Sequence, residues 1–319
     1  MRREEKSSGF GVQDSAGGSR KPGCWAALLA AVLAGCATPQ AEFMDADWVS
    51  HVTTGRGCHE RGDYRRGAEA YGRAQQRARA LDDADALAVA AVNRAVCLVA
   101  AGQPKEALAA VDEALADARA STVRRAELQV AGARAAAALG NSDEALARAA
   151  AALKPEPGPA LRAQAALARA TAELARPDAA AAARALAEGL PEKAWAQLPA
   201  SLRAERAGLR GRIAAAEGRA PDAAAAQDEA AARWKQAGRL PEMAQALAEA
   251  GRQARAAGDL AAACDRFWRA ARSLWAQGLQ PEAARTLEEG VSCAEQLGDE
   301  AVGEKMAELL VTFKKESRP

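Results

Sequence analysis

The chain has 319 residues, half of them hydrophobic but only 4% aromatic, and Ala supplies most of the apolar count. Ala is the strongest intrinsic helix former while strands draw on β-branched and aromatic side chains, so the composition points to an all-α fold and away from a sheet protein. A formal net charge of +1 gives no global attraction to nucleic acid or to an anionic membrane.

The first twenty residues, MRREEKSSGFGVQDSAGGSR, are polar and rich in Gly and Ser, the composition of a disordered extension, and a translation start downstream of them is expected. Arg20 and Lys21 then precede an uncharged, mostly apolar run over residues 25–35. A basic segment followed by a short apolar one is a signal-peptide pattern. The run is roughly half the ~20 apolar residues that a membrane-spanning helix needs. It stops at Leu33-Ala34-Gly35-Cys36.

That ending resembles the lipobox of bacterial lipoproteins. The resemblance implies that residues 1–35 are removed and that the Cys36 thiol carries a diacylglyceryl group at the mature N-terminus. In such families an Asp after the cysteine is an inner-membrane signal. Ala37 stands there instead, which implies an outer-membrane anchor facing the periplasm. Residues 36–44 are then a lipidated tether.

From residue 45 to 317 the sequence repeats. Gly218, Gly238, Gly258, Gly278 and Gly298 fall every 20 residues, and each interval reads as one helix with Gly at its end and Pro near the next start. In the segment GDLAAACDRFWRAARSLWAQ, Leu260, Ala263, Phe267, Ala270 and Leu274 step by three or four along one stripe. Such a helix cannot bury its stripe alone, so neighbours must stack. Gly62, Gly102 and Gly140 continue the series upstream in steps of about 40, with one turn disguised at Ala175-Arg176-Pro177-Asp178. The unit is thus a helical hairpin of about 40 residues, present about seven times.

Within the unit, GRGCHERGDYRRGAEAYGRA carries Gly55, Gly62, Asp63, Tyr64, Gly67, Tyr71 and Ala74, and Gly251, Gly258, Ala263, Phe267 and Ala270 restore the pattern late in the chain. GQPKEALAAVDEAL and GNSDEALARAAAAL follow it more loosely. This pattern resembles the tetratricopeptide repeat. The resemblance implies a right-handed solenoid in which small residues sit where two helices touch and an aromatic fills the gap between hairpins. The unit departs from the usual repeat in being longer, and residues 189–200, GLPEKAWAQLPA, break the period. A hinge between two sub-stacks is expected there, with Trp195 packed against one of them.

Signatures of catalysis are scarce. His51 and His59 are the two histidines, and in Cys58-His59-Glu60 the thiol and imidazole point about 100° apart on a helix. The sequence has no phosphate-binding loop, no metal-spaced Cys/His cluster and no nucleophile elbow, so no cofactor or metal is expected. The acidic stretch LDDAD, residues 81–85, has the composition of a turn and helix cap. Cys58 and Cys97 lie one repeat apart on successive first helices; at an axial spacing of about 8–10 Å a disulfide requires both side chains to lean inward, and otherwise they are small buried hydrophobes.

Six residues before the turns stand Arg56, Arg134, Arg169, Arg212 and Arg252, a ladder interrupted by Val96 and Ser292. In tetratricopeptide repeats that register of the first helix lines the concave groove where peptides dock. The resemblance therefore implies a row of guanidiniums facing acidic side chains or a carboxylate terminus of a partner. The abundance of Arg throughout the chain is the competing explanation. Trp234, Trp268 and Trp275 on late second helices form a second candidate surface, against plain packing between hairpins. The expected function is a non-catalytic adaptor lipoprotein that binds peptide segments or partner proteins in envelope assembly. An envelope enzyme or its regulatory subunit, and a small-ligand or glycan sensor, are the alternatives.

Overall fold

The computed structural model describes residues 45–154 and 156–316. The leader, Cys36 and the tether up to residue 44 lie outside the described residues. The described residues form seven helical hairpins. These are α1 (Ala46–Glu60) with α2 (Tyr64–Ala80), α3 (Ala84–Ala100) with α4 (Pro104–Leu115), α5 (Thr122–Ala138) with α6 (Ser142–Ala151), and α7 (Pro159–Ala175) with α8 (Ala179–Gly189). A short linker helix, α9 (Glu192–Ala196), leads to α10 (Ala200–Ala216) with α11 (Ala220–Gln236), α12 (Leu240–Ala256) with α13 (Leu260–Ala276), and α14 (Gln280–Leu297) with α15 (Glu300–Glu316). Every helix packs on its successor in the hairpin array, and first helices also stack on the next first helix, α3 on α5 and α5 on α7. This is an all-α solenoid.

Local chemistry accounts for the element boundaries. The turn glycines 62, 102, 140, 218, 258 and 298 all have positive φ, the conformation in which a side chain is penalised. At Gly258 the following Asp259 N–H closes the helix end by donating to Ala254 O at 2.9 Å. The Asp259 carboxylate then caps α13 by accepting from Ala262 N–H at 3.1 Å. Pro177 takes the place of glycine in the fourth hairpin's turn, with Asp178 capping α8 through Ala181 N–H at 2.7 Å. In the LDDAD stretch Asp82 holds the positive-φ turn position and Asp83 caps α3 through Ala86 N–H at 2.7 Å.

The core consists mainly of Ala at helix crossings, with a few large plugs: Trp48, Tyr71, Trp195 and Phe267 are almost wholly buried. In the predicted stripe of α13, Ala263, Phe267, Ala270 and Leu274 are buried. Trp195 belongs to one buried cluster with Leu167 of α7, Leu186 of α8, and Leu202, Leu209 and Ile213 of α10, a cluster that extends to both sides of the period break. The break in sequence period leaves room for one indole, and α10 packs directly on α7 and α8 across it.

Candidate functional site

The ladder positions differ in their surroundings: Arg56, Arg134 and Arg169 are half-buried, whereas Arg212 and Arg252 are exposed. Arg134 borders a cavity of about 230 Å³, and so does Val96, the residue that interrupts the ladder one hairpin earlier. Each arginine further along has a carboxylate of this chain close by. Arg134 Nη2 lies 2.5 Å from Glu205 of α10, and Arg169 lies 3.8 Å from Glu188 of α8. Arg252 grips Glu289 of α14 with two bonds of 2.8 Å and also donates to Glu249 at 2.8 Å. Arg212 is exposed and interacts electrostatically with the same Glu249, so Arg212, Glu249, Arg252 and Glu289 alternate in sign from α10 to α14. Arg56 keeps its Nε buried with no hydrogen-bond partner among the described residues. The register is therefore largely charge-compensated.

The carboxylates were not singled out in the sequence. A signal was present for two of them: Glu249 and Glu289 both stand nine residues before a turn glycine. Glu205 has no such register and meets Arg134 only because α5 and α10 come together in space.

The cavity collects residues from distant hairpins. Val96 and Val99 of α3 and Ala131 of α5 make an aliphatic wall, while Arg134, Glu205, Arg239 and Glu242 make a polar one; Ser201 of α10 and the half-buried Trp234 of α11 complete it. Beside it the first hairpin meets the beginning of α12. Tyr64 donates to Glu242 Oε1 at 3.1 Å, and Arg239, which also pairs with Glu242, places Nη2 at 3.2 Å from His59 Nε2. The turn glycine between α1 and α2 abuts the same place: a Cβ on Gly62 would stand 3.2 Å from Pro241 Cγ and 3.7 Å from Leu279. Burial and the adjacent Arg239 charge push the His59 imidazole from 6.5 down to about 3, so it is neutral at pH 7. Burial raises the Tyr64 phenol, so it keeps its proton and its role as donor.

Cys58 and His59 part as the helical geometry requires. His59 turns to Arg239, whereas Cys58 borders Gly67, where an added Cβ would stand 3.6 Å from Cys58 Cβ and 3.0 Å from Cys97 Sγ. Both cysteines lean toward the same spot and are buried. The three late tryptophans are half-buried between helices. Trp275 stacks on Phe313 of α15 at 3.8 Å, and Trp268 has Arg272 and Lys305 over its ring at 5.8 Å each. Among the described residues no group of three His, Cys, Asp or Glu is placed to hold a metal ion.

No protein-family model and no curated protein matches the chain. Solved structures do. A Rap protein complexed with competence and sporulation factor is 15% identical over 85% of this chain and 75% of its own, with a TM-score of 0.57. A signal-transduction ATPase with numerous domains and a tetratricopeptide-repeat sensor, from Pyrococcus horikoshii, is 13% identical over 79% of this chain with a TM-score of 0.61. The chain spans only 38% of that ATPase's length. At such identities the likeness concerns the fold, and it coincides with the glycine turns, the paired small and large residues and the seven hairpins described above. The chain has the helical-hairpin solenoid fold seen in tetratricopeptide-repeat structures.

Proposed function

We propose that this chain is a non-catalytic adaptor lipoprotein, held at the outer membrane by a lipid on Cys36, whose solenoid binds peptide segments or partner proteins in envelope assembly. The observation that carries the reading is the recurrence of arginine at one register of the first helices, each of Arg134, Arg169, Arg212 and Arg252 lying near a carboxylate. A partner's carboxylates replace those of this chain, in the way that Glu289 grips Arg252 with two bonds and Glu205 meets Arg134 with one. The Rap structure, a complex with competence and sporulation factor, supports the reading as a chain of similar fold holding a partner. The run Leu33-Ala34-Gly35-Cys36 supports the anchor.

Crosslinking and pull-down from intact envelopes, comparing the wild type with Arg134→Ala/Arg169→Ala/Arg212→Ala, tests the binding face. The expected result is partners lost in the triple variant at unchanged helicity; equal capture would remove the ladder from the site. Fractionation of Cys36→Ser tests the anchor, and is expected to move the protein from membranes to the soluble fraction. Retention in the membrane fraction would reject lipidation at this residue.

A further inference from the structure

We propose that Cys264 and Cys293 are a disulfide site that staples α14 and α15 to the hairpin before them. α13 and α14 are joined by the short turn at Gly278 and pack along one seam. Cys264 stands 14 residues before that glycine and Cys293 15 after it, so the two lie on the same rung of the seam. The neighbouring rung, three residues nearer the turn on each helix, measures how close the backbones come: a Cβ on Gly290 would stand 3.1 Å from Phe267 Cβ. A disulfide needs Cβ atoms about 3.5–4.5 Å apart, so a seam this tight admits one. The side chains agree. Cys293 Sγ lies 3.5 Å from Leu260 O, the carbonyl that accepts the Cys264 N–H in a regular helix. Both cysteines are buried in one cluster with Ala263, Phe267, Leu287 and Ala294, and the Cys264 thiol is hydrogen-bonded with that of Cys293.

Burial, and then the contact with Cys293, push the Cys264 thiol up to about 12. A protonated thiol in a closed core is a poor nucleophile, so the bond is made while the chain folds or when α14 and α15 open. The oxidant is a disulfide supplied from outside. One cysteine thiolate attacks it, forming a mixed disulfide and releasing one thiolate; the other cysteine then attacks the mixed disulfide, forming the Cys264–Cys293 bond and releasing the second. The oxidant takes up two electrons, and the two cysteine protons end on the released thiols. Among the described residues α14 and α15 have a hairpin neighbour on one side only, and such end units of a repeat stack open first, which is where a covalent tie has most effect. The inference rests on the envelope reading for its oxidising surroundings. The test supplies the oxidant, so the two fail separately.

The full chain is unfolded, refolded in a buffer of oxidised and reduced glutathione, alkylated and cut with trypsin for mass spectrometry. Trypsin releases the two cysteines on separate peptides, 256–266 and 286–305. The expected result is one species joining these peptides, which reduction splits into two. Alkylation of both cysteines, or a link from either one to a different cysteine, would overturn the proposal; this reading needs no variant and so does not depend on a substituted chain folding. The oxidised chain should then unfold at least about 5 °C above the same chain treated with dithiothreitol. Cys293→Ala should remove that difference. Equal midpoints for the oxidised and reduced wild type, or a difference that survives in Cys293→Ala, would show that this pair is no staple.

Discussion

At the scale of single residues, small side chains on first helices are matched to large ones on second helices. Gly55, Gly211 and Gly251 stand seven residues before the turn glycines 62, 218 and 258, and each faces a long side chain nine residues after that turn glycine: Tyr71, Gln227 and Phe267. Where Ala95 and Ala133 take the small position, the buried partners are Val111 and Ala149. A Cβ on Gly55 would come to 2.8 Å of the Tyr71 ring, which is closer than the ring can accept without moving. Helix propensity favours Ala over Gly by about 1 kcal/mol, whereas overpacking costs about 1–3 kcal/mol, so packing decides the sign. Gly55→Ala should therefore lower the midpoint of thermal unfolding. Gly57, two residues on, would meet only the Arg61 side-chain end at 3.4 Å, and Gly57→Ala should raise the midpoint instead. The same instrument reads both, and a fall in both would discount the close-contact explanation.

At the scale of elements, the first hairpin is fastened to the start of α12 through Tyr64–Glu242, His59–Arg239 and the Gly62–Pro241 contact. His59 is surrounded there by Arg239 and Glu242 from across the gap and by Tyr64 from its own hairpin. Its pKa is lower folded, about 3, than unfolded, 6.5, so protonation favours the unfolded form. The contribution is fully present above pH 6.5 and is lost as pH falls from 6.5 toward 3. At about 1.4 kcal/mol per pH unit, stability should drop by about 2 kcal/mol between pH 6.5 and pH 5. The strongly lowered carboxylates Asp45 and Asp117, both held near 2 by arginine hydrogen bonds, titrate below that window. Urea midpoints across the window should slope for the wild type and flatten for His59→Gln; parallel slopes would place the titration elsewhere.

For the described solenoid as a whole, the question is whether seven hairpins unfold together. Stability in repeat proteins is the sum of units and of the interfaces between neighbours, so the weakest interface sets cooperativity. The period break at 189–200 would be that interface if nothing bridged it. Trp195 does bridge it, with Arg206 at 4.9 Å over its ring and leucines of α7, α8 and α10 around it. Trp195→Ala should cost about 3–5 kcal/mol and split one calorimetric transition into two. A single shifted transition would show that the backbone contacts of α10 with α7 and α8 suffice to couple the two sides.

The number of hairpins, their turn positions and the pairs Gly55–Tyr71 and Gly251–Phe267 were legible in the sequence. Each depends on residues within about one repeat: a 3.6-residue stripe, a glycine where φ is positive, an Asp that caps the next helix. The ladder was legible as a register for the same reason. Its charge compensation was not, because Arg134 meets Glu205 across 71 residues, and no local pattern announces that partner. The fastening of His59 and Tyr64 to Arg239 and Glu242 spans about 180 residues, and the cavity draws on five hairpins. Those contacts depend on the small rotation each hairpin adds to the last. Local sequence determines the hairpin; only the accumulated stacking of many hairpins decides which distant side chains face one another, and with them the interior site.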